Sequence, residues 1–237
     1  MYKSGYTVMI FEDLERDAIR FLENVALEYY PDSEDRVKIY SPKLSNILIN
    51  IGSRIDEFFK NWNVVIEGSK NRLKIEHPNF SENKLIEKLE RIDLDYYKDI
   101  ERNKIFILSD IEVFIPRIEK HIKPFDNWIS WNNKENPCKS WWCAYNNVKH
   151  HGYERRPEGN LDNVIKSLGA LFILNCIHKD VWPLLIKYGF MDKGEYNINL
   201  QGYFDIRQDN DESKYLHKLV CSKSKLFYLY YDLEYKL

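Results

Sequence analysis

The chain has 237 residues, of which 44% are hydrophobic, 30% charged and 15% aromatic. That much apolar side chain excludes a disordered chain, and nine Gly and eight Pro scattered without period exclude a collagenous or low-complexity one. The length fits one large domain or one domain with a small appendage, and 35 basic against 37 acidic residues exclude a strongly basic nucleic-acid wrapper, though not a local basic patch.

The N-terminal apolar run meets Glu12 and Asp13 at once, so no signal-peptide core is expected. Phe11, Leu14, Ala18, Phe21, Leu22, Val25 and Tyr29 then fall at intervals of three and four, which predicts one helical stripe ending at Pro31. Pro31 to Arg36 reads as a polar link. Ser41 is a cap and Pro42 suits a first turn. From Leu44 to Phe59 the apolar spacing predicts a core helix. Trp62 to Pro78 reads as irregular. Ser81 caps a further expected helix carrying Leu85, Leu89 and Ile92. The stretch from Lys104 to Phe125 is β-branched and aromatic, and Pro116 and Pro124 interrupt it, so it is expected to be extended.

A helix is predicted from Trp141 to about His151, closing near Gly152, followed by a charged loop from Tyr153 to Gly159. Asn160 caps a long apolar helix running to about Asp180. Asn163 and Asn175 on it are expected to find partners on the preceding helix. After Phe190 the chain turns to Tyr, Phe and Ile, in YNINLQGYFDIRQ and KLFYLYYDLEYKL, which read as two short strands or an extended tail. The expected fold is all-α: a helical domain over 1–190, and a C-terminal extension over 191–237 packing on the bundle with a small extended or β elaboration. The longest apolar stretch, Leu168 to Cys176, is far short of the ~20 residues a spanning helix needs. Cys138 and Cys143 lack a CxxC spacing, and all four cysteines are expected to be reduced and packed, giving a cytoplasmic location with no membrane. A zinc site from Cys138, Cys143 and His150 would need unusual spacing, so no metal and no cofactor is expected.

The most specific stretch is Asn136 to His151. Trp142, Asn146, Lys149 and His150 stand at i, i+4, i+7 and i+8 on one helix face, and Trp141, Tyr145 and Val148 share another. An amide, an ammonium and an imidazole side by side suit a phosphodiester. Histidine serves as acid or base near neutral pH, lysine stabilises phosphate charge, and asparagine orients the ribose, the phosphate or the histidine. The alternative is that His150 only hydrogen-bonds across a helix interface, and that Trp141 and Trp142 are core or dimer-interface rings.

The run WWxAYNxVKHH, followed by a charged loop and the helix NLDNVIxSLGALFIL, resembles the HEPN superfamily, most of all uncharacterised bacterial branches with a YNxxKH helix. The resemblance implies a helical bundle, a homodimer, and a metal-independent ribonuclease of toxin–antitoxin or phage-defence type, with RNA and an antitoxin or defence-system protein as partners. The family pattern is Arg, a polar residue, three variable residues and His. Asn146 and His150 match it, and Tyr145 stands at the Arg position. The implied catalytic residues are His150, Asn146 and Lys149, with Arg155, Arg156 and His151 contacting RNA. The Tyr145 departure and the near-neutral charge support an alternative, a non-catalytic HEPN-like module for RNA or protein binding or dimerisation. A third reading is a plain structural bundle.

Overall fold

The computed structural model describes residues 4–22, 27–61, 74–75, 78–81, 84, 111–126, 141–177, 185 and 219–231. The expected helix after Ser81, the expected strand at 196–208 and Cys138 lie outside these residues.

The described part is mostly helical with a small antiparallel sheet. Helix α1 (Ser4–Leu22) starts earlier than its apolar stripe, and Leu27–Tyr29 beyond it is a 3-10 turn. The polar link contains the short helix α2 (Ser33–Arg36). Helix α3 (Pro42–Asn61) begins at the predicted proline, and the Leu44 amide donates to Ser41 Oγ at 3.2 Å, the expected cap. Helix α4 (Trp141–His151) ends before Gly152, whose φ of 38° lies in the left-handed region that glycine enters without strain. The charged loop is wound into 3-10 turns from Gly152 to Glu158.

Helix α5 (Leu161–Ile177) forms the centre of the molecule. Asn160 Oδ1 accepts from the Asn163 amide at 3.0 Å, as a cap should. Leu161, Val164, Leu168, Leu171, Ile173 and Leu174 are all buried, as expected of a helix apolar on most faces. Each such side chain removed from water contributes roughly 1.5–3 kcal/mol. Helices α1, α3 and α4 pack on α5.

The sheet has the order β2-β1-β4-β3, all antiparallel, with β1 (Val113–Ile115), β2 (Lys120–Ile122), β3 (Leu219–Lys223) and β4 (Tyr228–Tyr231). The extended segment expected between Lys104 and Phe125 supplies β1 and β2, joined by a 3-10 turn with Glu119 at φ 52°. Phe114 pairs with Tyr228, so the sheet joins residues on both sides of the boundary at 190. Periodicity along a chain carries no sign of such a pairing, which depends on segments far apart in sequence. A methyl group at Gly169 would come within 3.2 Å of Pro124 and Val113, so α5 runs closely against β1 and the turn after β2.

One expectation is corrected. Cys143 on α4 is disulfide-bonded, and Cys176 is buried in the core. The absence of a CxxC spacing excluded a particular motif, not a bond between cysteines that folding brings together. Reduced cysteines therefore no longer support a cytoplasmic location. Among the described residues no helix is long and apolar enough to cross a membrane.

Candidate functional site

Helix α4 runs from the core to the surface. Trp141, Trp142, Tyr145 and Val148 are buried, Asn146 is half-buried, and Lys149, His150 and His151 are exposed in the last turn. Trp141 Nε1 donates to the Pro124 carbonyl at 2.7 Å, and its ring meets Phe125 and Trp142 edge-on. The two tryptophans are therefore core residues of this chain. They anchor the buried end of the helix, and the cationic end is left at the surface. Cations suit this position, because the helix dipole is negative there.

The polar side chains of the motif divide. Asn146 Nδ2 donates back to the Trp142 carbonyl at 3.1 Å, so its amide is turned along its own helix. Lys149 Nζ donates to Tyr145 Oη at 2.9 Å and lies 5.2 Å from the centre of the same ring. His150 and His151 stand exposed beside it. The structure thus brings Lys149, His150 and His151 together on one turn and holds Asn146 one turn deeper.

Tyr145, at the position where the resemblance expects Arg, is 1% exposed. Its ring packs 5.2 Å from that of Trp142 and fills the space over Gly52 of α3. Its hydroxyl lies 3.4 Å from Ser53 Oγ. Ser53 and Gly52 were not singled out in the sequence. A lone glycine inside an otherwise regular core helix is the signal that could have found the contact, because it marks a close approach.

The loop after α4 is tied down through Glu158. Its carboxylate accepts from Asn147 Nδ2 at 2.8 Å and from Arg155 at 3.3 Å, and its carbonyl accepts from Asn163 Nδ2 at 2.8 Å. Arg155 is therefore in an ion pair, and Arg156 is exposed on the same turn. The partners expected for Asn163 and Asn175 on α4 are corrected. Asn163 bonds the connecting turn, and Asn175 Nδ2 donates to the Leu171 carbonyl of its own helix at 2.8 Å. Both bonds are local, and Asn175 Oδ1 is buried with no hydrogen-bond partner among the described residues.

A second polar cluster lies at the start of α5. Arg36 and Asp162 are buried, and Arg36 Nε donates to Asp162 Oδ1 at 3.0 Å. Lys166 Nζ lies 2.7 Å from the other carboxylate oxygen, and the Arg36 guanidinium also donates to the Tyr30 and Pro31 carbonyls. Arg36, Asp162 and Lys166 each have a partner within the protein, so this cluster reads as a staple and not as a reactive centre. Among the described residues no group of three or more His, Cys, Asp or Glu is placed to hold a metal ion.

Set against family models, curated proteins and solved structures, the chain matches none.

Proposed function

We propose that this chain is a HEPN-like helical protein that cleaves RNA without a metal ion, in a toxin or phage-defence setting. The observation that supports it is the exposure of Lys149 and His150 at consecutive positions on a helix whose other end is fixed in the core. His150 removes the proton from a ribose 2′-OH, and the 2′ oxygen attacks phosphorus. The P–O5′ bond breaks and the 5′ oxygen takes a proton, leaving a 2′,3′-cyclic phosphate and a 5′-hydroxyl. Lys149 stabilises charge on the phosphate. Asn146 orients the ribose or the imidazole, and Arg155, Arg156 and His151 contact the flanking RNA. In a homodimer the paired α4 helices would build each site from both copies, and an antitoxin or defence-system protein would act on that groove.

RNA incubated with the protein in EDTA tests the reading. Wild type is expected to cleave, and His150→Ala to lose about 10²–10⁴-fold in rate, the usual share of a general acid or base. Equal cleavage by both proteins, or none by either, overturns it. A second reading draws on the burial of Tyr145 where the family carries a charge: a module that binds RNA or protein, or dimerises, without turnover. It expects binding or oligomerisation that survives His150→Ala.

A further inference from the structure

We propose that Tyr145 and Ser53 are positioning residues that hold the Lys149 ammonium in place as a contact for an RNA phosphate. This rests on the RNA-binding part of the reading above and not on cleavage. A surface lysine carries its charge on a flexible four-carbon stem and gives up much rotamer freedom when it fixes a ligand. Here the ammonium donates to a phenol oxygen at 2.9 Å. That oxygen does not wander. The ring beneath it is 1% exposed, wedged over Gly52 and against Trp142, and Ser53 reaches the hydroxyl from α3 at 3.4 Å. Two helices therefore fix the oxygen, and the oxygen fixes the lysine. The backbone end of α4 is negative and repels a phosphate, so attraction must come from the side chains. Lys149 on the last turn and Arg156 just beyond it carry positive charge there, while Arg155 is paired with Glu158. Tyr145 at the family's Arg position would then serve the same anion indirectly, by aiming a neighbouring cation.

The test uses the full chain and a fluorescein-labelled single-stranded RNA whose riboses are 2′-O-methylated, which blocks cleavage, with EDTA present. Binding is measured over a salt series for wild type, Tyr145→Phe, Ser53→Ala, Lys149→Ala and the double variant Tyr145→Phe/Lys149→Ala. Tyr145→Phe keeps the ring over Gly52, and Ser53→Ala reaches the same hydroxyl from the other helix should the first variant fold poorly. Loss of one phosphate contact is expected to make the negative slope of log affinity on log salt shallower by about 0.7 for Lys149→Ala, and by a smaller amount for Tyr145→Phe. Affinity should fall about tenfold for Lys149→Ala and about threefold for Tyr145→Phe. The tyrosine change should have no further effect once Lys149 is gone. A purely structural tyrosine would leave the salt slope unmoved, or would weaken binding equally with and without Lys149, and either result overturns the proposal. So does a wild type that does not bind this RNA. Binding with the expected coupling but no cleavage of unmodified RNA removes the nuclease reading and leaves this one standing. Cleavage with binding indifferent to Lys149 and Tyr145 does the reverse.

Discussion

Gly52 shows how little room the Tyr145 ring has. A Cβ at that position would lie 2.4 Å from two ring carbons and 2.8 Å from a third. Alanine is the better helix former by up to ~1 kcal/mol, so propensity alone favours Gly52→Ala. Overpacking opposes it, at about 1–3 kcal/mol, because the ring is also held by Trp142 and cannot slide aside. The expected outcome is a net loss of roughly 1–2 kcal/mol in urea unfolding, and a variant more stable than wild type would contradict the packing described. At this scale the sequence was readable where contacts are local. Lys149 and His150 could be placed on α4 by spacing, but the spacing put Tyr145 on another face, and the i, i+4 bond that Lys149 makes to Tyr145 shows that the long lysine stem crosses between them. Ser53 could not be placed, since it is 92 positions from Tyr145 and only the fold unites them. The direction taken by Asn146 was equally hidden, because a side-chain amide chooses between its own helix and a neighbour by local geometry.

Among elements, α5 depends most on what holds its first turn. Asn160 caps it, the Leu161 amide donates to the Ile39 carbonyl at 2.8 Å, and Tyr40 bridges to Asn160. Arg36 then reaches Asp162 in the buried staple. Replacing Arg36 with Met leaves the Asp162 carboxylate buried with Lys166 as its remaining cation and is expected to lower stability by about 3–5 kcal/mol. The double variant Arg36→Met/Asp162→Leu should recover part of that loss, since no buried charge is then stranded. Thermal or urea unfolding of the three proteins checks this, and a double variant less stable than Arg36→Met would count against it. The bounds of α3, α4 and α5 were legible because Pro42, Gly152 and Asn160 are strong local punctuation. In the sequence Arg36 belongs to a polar link. Pattern reading counts apolar residues and treats a charged loop residue as exposed, so a buried pair spanning 126 positions escapes it.

At the scale of the molecule, aromatic rings bind distant parts of the chain. Phe11 of α1 stacks on Phe172 of α5 at 5.5 Å, and Phe172 stacks on Phe227 at 6.0 Å, so one ladder joins α1, α5 and the C-terminal hairpin. Glu15 reinforces that join. It is buried on α1, and its carboxylate accepts from the Leu226 amide at 2.9 Å. The neighbouring Ser224 side chain, the Lys225 backbone and the Lys225 charge also favour its ionised form. Ser224 Oγ accepts from the Leu226 and Phe227 amides as well, so the turn is closed before Glu15 grips it. Burial nevertheless outweighs these partners and raises the Glu15 carboxyl above its ordinary value of 4.5. A group raised in the folded state binds more protons folded than unfolded between its two pKa values. Its contribution is then fully present below the unfolded value and is lost as pH rises through the folded one. Glu15→Gln lacks that titration. Urea unfolding of both proteins from pH about 4 to 8 should therefore show wild type losing stability relative to the Gln variant as pH rises. A relative gain over the same range would mean that the hairpin amides and Lys225 hold the carboxylate more strongly than burial opposes it. The hairpin would then be docked by charge, and not by the Phe11–Phe172–Phe227 ladder with a neutral or costly carboxyl beneath it.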